Sequence, residues 1–236
     1  MEDATIDFHS FRGYEPVQEK SEEEKKIIEF YNLRKDVYRT SLIERLAFKR
    51  CNFTNMHTSR LIFRRCVVMD VVFNKATDFH SGGFHDSNLT KATFNNCEFD
   101  HGEIHRSSLT DCTMNSCYGR DLYLLSSRVQ GLTYNKCRMD LYLGGTTIQR
   151  SIFRDSLMQH LHINKDTVIT ETDMTGLECR SIACADKPSE EQRKQLMWTG
   201  IRVTNDRKDL WSEKTDNIWL RRLLNIQFLF GKFSSL

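Results

Sequence analysis

A five-residue period runs through the chain from Ser41 to Val168. In its central part an apolar residue returns at nearly every fifth position, and Gly119 is the one weak centre of that frame. The apolar centres are Phe79, Phe84, Leu89, Phe94, Phe99, Ile104, Leu109, Met114, Leu124, Val129, Tyr134 and Met139. Because five matches neither the helical period of 3.6 nor the strand period of 2, the pattern indicates a repeat architecture.

A mostly small residue lies two positions before each centre, and polar residues fill the other positions. These small residues include Thr77, Gly82, Ser87, Ala92, Cys97, Gly102, Ser107, Cys112, Cys117, Ser127 and Cys137. The pattern resembles that of the pentapeptide-repeat family, whose loose consensus is Ala-(Asp/Asn)-Leu-X-X. Units such as Ser87-Asn88-Leu89 and Ala92-Thr93-Phe94 match it, and the match covers about 130 of the 236 residues.

The resemblance implies an all-β solenoid, a right-handed four-sided parallel β-helix of about seven coils with about 20 residues in each. Each side holds one pentapeptide, whose centre and small residue point inward. We expect α-helical caps at both ends. The expected division is residues 1–40 as an N-terminal arm and capping helix, residues 41–185 as the β-helix, and residues 186–236 as a C-terminal helical cap or dimerisation segment.

Residues 20 positions apart are expected to stack in neighbouring coils, about 4.8 Å apart. The predicted inward columns are Cys97, Cys117 and Cys137, and Ser87, Ser107 and Ser127 with Thr147 as their continuation. The predicted outward columns are Asn95, Asn115 and Asn135; Thr93, Thr113 and Thr133; and the sign-alternating Asp100, Arg120 and Asp140. Identical Asn side chains at this spacing can hydrogen-bond along the column.

The frame slips at a few places, which we interpret as bulged or shortened corners. One residue is gained between Phe73 and Phe79, so Asn74 is expected to extend the Asn column. One residue is lost between Met139 and Phe153, and the glycine-containing stretch Leu143–Thr146 is its expected place.

Composition indicates an ordinary soluble chain, since the net charge is +2 and 28% of the residues are charged. Such a balance does not predict direct nucleic-acid binding. The sequence has no run of 18 apolar residues, so no transmembrane helix is predicted. The N-terminus lacks the basic and apolar regions of a secretory signal. We expect a cytoplasmic bacterial protein, with export as an effector left open.

The eight cysteines fit the repeat better than they fit a disulfide or zinc pattern. Six occupy the small inward slot: Cys51, Cys66, Cys97, Cys112, Cys117 and Cys137. Cys179 and Cys184 fall on centres, and no CxxC spacing occurs. Reduced cysteines that pack inside a cytosolic protein are therefore predicted.

Four histidines lie near one side of the third and fourth coils: His80, His85, His101 and His105. His85 and His105 share a column beside Glu103, a set that could hold a metal ion. Outward histidines on a polar repeat are more typical of a simple surface, so neither a metal nor a cofactor is predicted.

The first two coils carry outward basic residues that could bind a partner. They are Arg45, Lys49, Arg50, Arg60, Arg64 and Arg65. Arg45 and Arg65 should stack unfavourably, and Glu44 beside Arg64 should offset part of this repulsion. Two interpretations stay open: a solvated basic corner, or a docking patch for an acidic protein partner.

Helices are predicted outside the repeat. Ser21–Glu24 is a capping box for a helix over about Glu22–Tyr38, and residues 1–20 are expected to be an irregular arm. A short helix should start at Ser189 and a second at Lys214. The apolar stripe of the second helix is Trp219, Leu220, Leu223, Leu224, Ile226, Phe230 and Phe233. We predict that it caps the last coil or forms a homodimer; a membrane interface or a foreign partner is the alternative.

No catalytic constellation is present, because the sequence contains no GxSxG, P-loop, GxGxxG or HExxH pattern. We therefore predict that the protein is not an enzyme. Its expected function is that of a protein-binding scaffold, which presents long flat faces of repeated side chains to a protein partner.

The family resemblance implies two alternative functions. One is a DNA-mimic-type modulator of DNA gyrase or topoisomerase, which needs a continuous acidic face; between Leu46 and Ala185 the chain carries sixteen bases and fourteen acids. The other is a secreted bacterial effector that acts by binding host proteins. An effector with ubiquitin-ligase activity would need a separate lobe with an exposed cysteine, and no cysteine follows Cys184.

Overall fold

A parallel β-helix forms the body of the protein. The computed structural model describes residues 4–7, 41–54, 61–75, 79–186 and 188–204. Within them the chain winds as a right-handed parallel solenoid of about seven turns, so the predicted fold class is confirmed. The predicted helix over Glu22–Tyr38, the second C-terminal helix with its stripe from Trp219 to Phe233, and Arg60 lie outside the described residues.

The strands are short and follow one another around each coil. The N-terminal strand is β1 (Ala4–Asp7). The first two coils contain β2 (Ser41–Glu44), β3 (Ala47–Lys49), β4 (Cys51–Thr54), β5 (Leu61–Arg64), β6 (Val67–Met69) and β7 (Val72–Asn74). The next two coils contain β8 (Gly83–His85), β9 (Asn88–Thr90), β10 (Thr93–Asn95), β11 (Glu98–Phe99), β12 (Gly102–His105), β13 (Ser108–Thr110) and β14 (Thr113–Asn115). The later coils contain β15 (Tyr118–Leu125), β16 (Arg128–Gln130), β17 (Thr133–Asn135), β18 (Arg138–Leu143), β19 (Thr147–Gln149), β20 (Ile152–Arg154), β21 (Ser156–Ile163), β22 (Val168–Thr170) and β23 (Leu177–Cys184). Helix α1 (Glu190–Trp198) and β24 (Arg202–Val203) follow.

Equivalent strands of successive coils pair in parallel and form three sheets. The first sheet contains β2, β5, β8, β12, β15, β18, β21, β23 and β24, with β11 joined through β15. The second contains β3, β6, β9, β13, β16, β19 and β22, and the third contains β1, β4, β7, β10, β14, β17 and β20. The fourth side consists of β11 and the first residues of β15, β18, β21 and β23, which continue into the first sheet.

The inward centres build one continuous apolar core along the solenoid. Aromatic rings stack between coils. The ring centroids of Phe73 and Phe94 are 4.9 Å apart and those of Phe79 and Phe99 are 4.8 Å apart, with nearly parallel ring planes. All four side chains are at most 1% exposed. This stacking follows because the backbone ladder holds equivalent residues about 4.8 Å apart.

The outward Asn column is confirmed and extends to Asn74. Asn95 Nδ2 donates to Asn74 Oδ1 at 2.9 Å, Asn115 donates to Asn95 at 3.0 Å, and Asn135 donates to Asn115 at 3.4 Å. The register also confirms the outward column of Thr93, Thr113 and Thr133. The coil therefore brings like side chains together over several turns.

The inward hydroxyl column continues through Thr146, so the prediction of Thr147 is wrong. Ser127 N donates to Thr146 Oγ1 at 3.4 Å, and Thr146 is fully buried. Thr147 instead pairs with Arg128 at an outward position. The cause is a coil that is one residue shorter than expected at this point.

The missing residue belongs to the side between Met139 and Leu143, so its predicted place at Leu143–Thr146 is also wrong. The pairing of β15 with β18 shifts by one residue there, and Asp121 pairs with Asp140. Leu143 is then itself an inward centre and is fully buried. Asp140 consequently stacks on another carboxylate, so the predicted alternation of charge does not continue through it.

Left-handed backbone turns most of the corners. Among the described residues, eighteen that are not glycine have φ values between 47° and 61°, including Arg106, Asp111 and Ser116 at successive corners of one coil. The corner between the fourth side and the first sheet has no such residue from β15 onward, so β15, β18, β21 and β23 run straight through it. Two sides of the later coils thus merge into one broad face.

Elements at both ends cover parts of the described solenoid. Helix α1 starts at a capping box formed by Ser189 and Gln192, as the sequence predicted, and its Leu196 is buried against the last coil. At the other end β1 pairs with β4 and extends the third sheet, whereas an irregular arm was expected. Such pairing protects an otherwise open sheet edge. Across the described ranges, no helix has the length and apolarity needed to cross a bilayer.

Candidate protein-interaction surfaces

Arginine residues surround two carboxylates on the early coils of the first sheet. Glu44 pairs in register with Arg64, and its Oε1 lies 3.4 Å from Arg65 Nη1 and 4.0 Å from Arg45 Nε and Arg64 Nε. Arg64 Nε also lies 3.8 Å from Asp86 Oδ2. The arginine cluster is defined here as Arg45, Arg64, Arg65 and Arg106.

The arginine cluster holds more positive charge than its acids neutralise. Arg106 Nε lies 2.8 Å from Asp86 Oδ1, so four guanidinium groups share the carboxylates of Glu44 and Asp86. The side chains of Arg45 and Arg65 are 73% and 47% exposed. Exposed ion pairs contribute at most about 1 kcal/mol each. A guanidinium group can bind an additional carboxylate through two parallel hydrogen bonds, so the cluster can accept an acidic partner.

The structure brings together three of the six basic residues that the sequence singled out. They are Arg45, Arg64 and Arg65. Lys49 ends β3 in the second sheet and Arg50 forms the corner after it, so these two face another side of the coil. Glu44 lies between the stacked Arg45 and Arg65, which relieves their repulsion. Arg106 was not predicted, because its link to the others passes through Asp86 of the coil between them.

Histidine–carboxylate pairs follow the arginine cluster along the solenoid. His80 Nδ1 lies 3.1 Å from Asp100 Oδ2, and His101 Nδ1 lies 2.9 Å from Asp121 Oδ2. Arg120 Nε lies 3.5 Å from Asp100 Oδ1, which confirms the predicted opposite charges of that pair. Each carboxylate here therefore has a cationic or hydrogen-bonding neighbour.

His85 is buried, so the prediction that these histidines form a simple outward surface is wrong for this residue. It is 5% exposed, its Nε2 lies 3.1 Å from Glu103 Oε2, and the ring of His105 is 5.8 Å away. Burial lowers the pKa of His105, and the neighbouring Arg106 lowers it further. Within the described residues, no group of three or more His, Cys, Asp or Glu side chains has the arrangement needed to hold a metal ion.

A column of aromatic rings covers the broad face of the later coils. The rings of Tyr123 and Tyr142 are 4.5 Å apart, and His162 stacks on Tyr142 at 3.9 Å with an interplanar angle of 5°. Tyr123, Tyr142 and Leu125 form a small apolar cluster separate from the main core. The aromatic face is defined here as Tyr123, Leu125, Tyr142 and His162.

Carboxylates border the aromatic face. Burial raises the pKa of Asp121, and the nearby carboxylates of Asp140 and Asp100 add to this rise, whereas His101 opposes it. Asp140 Oδ1 accepts backbone hydrogen bonds from Gln159 at 2.7 Å and from His160 at 2.9 Å. The face thus combines apolar rings with concentrated negative charge.

Sequence reasoning missed the aromatic face for an identifiable reason. Tyr123 and Tyr142 are in register, but the shortened side places them one residue off the 20-residue spacing. Tyr142 and His162 do keep that spacing. Each repeat frame, before and after the lost residue, therefore contained part of the aromatic column. The two parts can be aligned only when the position of the lost residue is known.

The cysteines serve packing, as their inward slots predicted. All those with described side chains are free thiols, and all except the half-buried Cys184 are buried. Burial raises the pKa of Cys112 and of Cys179 to about 11 and that of Cys184 to about 12. A thiol with so high a pKa carries almost no thiolate at neutral pH, so none of these three suits nucleophilic catalysis.

The five-residue unit and the four-sided parallel coil together constitute the pentapeptide-repeat fold, as the sequence resemblance implied. No family model and no curated protein matches the chain.

Solved structures with this fold share little sequence with the chain. One is a trypsin-treated variant of QnrB1, a plasmid-mediated fluoroquinolone resistance protein, with 13% identity over 71% of this chain and 93% of that one and a TM-score of 0.39. Another is HetL, a pentapeptide repeat protein involved in heterocyst differentiation regulation from the cyanobacterium Nostoc sp. strain PCC 7120. It shows 9% identity over 69% of this chain and 97% of that one, with a TM-score of 0.29.

Proposed function

We propose that the protein is a non-enzymatic scaffold that binds an acidic segment of a protein partner through the arginine cluster. The observation that supports this is the excess of guanidinium groups over carboxylates around Glu44 and Asp86, on side chains that remain substantially exposed. A rigid solenoid holds these groups at fixed spacing, so little order has to be gained on binding.

The distribution of charge favours this function over DNA mimicry. Opposite charges pair along the outward columns, as in Arg106 with Asp86 and Arg120 with Asp100. A mimic of DNA needs negative charge that accumulates along one face. Homodimerisation, a cytoplasmic location and export as an effector stay predictions.

A charge-reversal experiment tests the proposed function. Fluorescence anisotropy would measure binding of a labelled Glu-rich peptide of about 12 residues to the full chain. We expect Arg45→Glu combined with Arg65→Glu to weaken binding at least tenfold, because each reversal replaces an attraction by a repulsion. The matched control is Arg128→Glu with Arg138→Glu, two exposed arginines of a later coil.

The control pair should leave the dissociation constant within about twofold of the unsubstituted protein, and added salt should weaken binding of the unsubstituted protein. Equal losses in both double variants would show that only the overall charge matters, which would contradict a defined site. Failure of the unsubstituted protein to bind the peptide would also contradict it.

A further inference from the structure

Four charged residues occupy the same corner of four successive coils. They are Arg45, Arg65, Asp86 and Arg106, and each has a left-handed φ between 47° and 61°. The residues that immediately precede them pair in register from coil to coil in the first sheet. The four corner residues therefore form one column along the solenoid axis. The charged ridge is defined here as these four residues.

The side chains of the charged ridge are accessible to a partner. Those of Arg45, Arg65 and Arg106 are 73%, 47% and 55% exposed, and that of Asp86 is 25% exposed. The outward residues beside the ridge on the second sheet have neither a charge nor a long side chain, so a partner can approach closely. They are Ala47, Val67, Asn88 and Ser108.

A partner can contact this ridge through side chains but cannot extend a sheet along it. The backbone N–H groups of Arg45, Arg65 and Asp86 already donate to carbonyl oxygens of the next coil, at 2.9–3.0 Å. An extended segment that lies along the ridge therefore finds no open strand edge in the described coils, and strand addition needs such an edge. An α-helix satisfies its own backbone groups and needs only side-chain contacts.

The spacing of the charged ridge matches one face of an α-helix. With about 4.8 Å between coils, Arg65, Asp86 and Arg106 lie about 4.8, 9.6 and 14.4 Å from the level of Arg45. Helix residues i, i+3, i+7 and i+10 share one face and lie at about 0, 4.5, 10.5 and 15 Å, within about 1 Å of these levels. Residues on one side of an extended segment recur about every 6.6 Å, so they miss the level of Arg65 by about 2 Å.

We propose that the acidic segment bound by this protein is an α-helix that lies along the charged ridge, with acids at positions i, i+3 and i+10 and no acid at i+7. This inference rests on the proposed function and specifies the partner of the same site. The three acids would face Arg45, Arg65 and Arg106, whereas an acid at i+7 would face the carboxylate of Asp86. The order of the charges also determines the direction of the helix, because the reversed helix places an acid opposite Asp86.

Arg106 can bind an acid of the partner although it is already paired with Asp86. Its Nε lies 2.8 Å from Asp86 Oδ1 and its Nη2 donates to Asp86 Oδ2 at 3.0 Å. These contacts use two of the five N–H donors of the guanidinium group, so three remain. The Arg106 side chain is also held at a fixed place on the ridge, which reduces the entropy lost on binding.

Three peptides of about 16 residues test the proposed register by fluorescence anisotropy with the full chain. The first is a stapled alanine-rich helix with Glu at i, i+3 and i+10. The second has the same staple and composition but carries Glu at i, i+3 and i+7. The third has the sequence of the first without the staple and with a central proline, which prevents the helix. We expect the first peptide to bind at least fivefold more tightly than either of the others.

Substitution of the acid on the ridge tests which residue reads the register. Asp86→Asn should reduce the difference between the first and second peptides to twofold or less, because position i+7 no longer faces a carboxylate. The matched control is Asp111→Asn, a left-handed corner residue on another ridge, which should leave the difference unchanged. An unchanged difference in Asp86→Asn would contradict the proposed register.

The outcomes separate this proposal from the proposed function. Equal affinity for the three peptides would overturn the helical register, and so would binding of the flexible Glu-rich peptide without binding of the first helical peptide. The proposed function would stand in both cases. If neither the Glu-rich peptide nor the helical peptides bound, the proposed function would fail together with this inference.

Discussion

At the scale of single residues, the small inward position of the repeat accommodates either a serine hydroxyl or a cysteine thiol. Ser107 Oγ lies 2.9 Å from His105 O and 3.1 Å from Phe84 O, and it accepts a hydrogen bond from Ser87 N. Cys117 Sγ has similar backbone neighbours in another inward column of the same coil. The slots that hold Ser or Cys therefore join adjacent coils through a small polar group that burial protects from water.

Replacement of Ser107 tests this role. Ser107→Ala removes the acceptor for the buried Ser87 N–H, so we expect a loss of about 1–3 kcal/mol in the free energy of unfolding. Ser107→Cys should lose less, because a thiol keeps a weak form of these contacts. Urea denaturation measures both variants. A Ser107→Ala protein as stable as the unsubstituted one would show that the slot contributes through size alone.

The ring of His162 makes stability depend on pH. Burial, with a smaller effect of His160, lowers the pKa of His162 from 6.5 to about 4. Between these values the unfolded chain binds a proton that the folded chain does not, so stability falls as the pH falls. His162→Phe keeps the stacked ring but cannot titrate.

We expect the unsubstituted protein to lose about 2–3 kcal/mol more than His162→Phe when urea unfolding at pH 4.5 is compared with pH 7. Both proteins keep His105, whose pKa is also lowered, so that residue does not enter the difference between them. Equal losses over this pH range would mean that His162 is protonated in the folded protein.

At the scale of elements, one side chain joins α1 to the last coil through several hydrogen bonds. Gln192 Nε2 lies 2.9 Å from the carbonyl oxygens of Asn164 and Lys165 and 3.0 Å from that of Thr167. Its Oε1 accepts from Ser189 N at 3.0 Å and completes the capping box. Gln192 therefore satisfies backbone groups of the helix and of the solenoid at once.

Loss of Gln192 should loosen this end of the solenoid. We expect Gln192→Ala to lower the free energy of unfolding by about 2–3 kcal/mol, since three carbonyl groups of the last coil lose their donor. The control is Gln195→Ala on the same helix, whose contact with Ile169 N is 3.5 Å long, and it should cost less than about 1 kcal/mol. Amide hydrogen exchange of α1 would show whether the loss is local. Similar effects of the two substitutions would contradict a special role for Gln192.

The sequence predicted the elements better than their junctions. The five-residue period and the Asn column led to the correct register from Asn74 to Asn135, because like side chains recur at constant spacing. The same period could not locate the lost residue, because the new repeat frame becomes visible only some residues after the position at which the old one ends. The misassigned Thr147 and the missed contact of Asp121 with Asp140 both follow from that one ambiguity.

At the scale of the whole molecule, opposite charges pair along the outward columns of the solenoid. The sequence counts of acids and bases already indicated balance, and the structure shows how the balance arises, through contacts such as Arg120 with Asp100. The arginine cluster could be predicted only in part, because it depends on which corner each arginine occupies. The burial of the aromatic face depends on contacts distant in sequence, which a local pattern does not contain.

A gyrase assay tests the consequence of this balance. We expect no inhibition of DNA supercoiling, and no protection from a fluoroquinolone, at micromolar concentrations of the protein, because its outward columns do not reproduce the continuous negative charge of DNA. The control is a variant with Arg106→Glu and Arg120→Glu, which makes the columns more acidic. Inhibition by the unsubstituted protein would contradict the scaffold function proposed here and favour topoisomerase modulation.

The left-handed corner residues are positions at which substitutions could stabilise the protein. A residue such as Lys91 or Lys136 adopts a left-handed backbone conformation that disfavours most L-amino acids by roughly 1 kcal/mol, whereas Asn and Gly adopt it readily. These positions point outward and recur in nearly every turn. A heat-resistant form of this solenoid could therefore be designed by exchanging many corner residues together, with the core and the interacting faces left untouched.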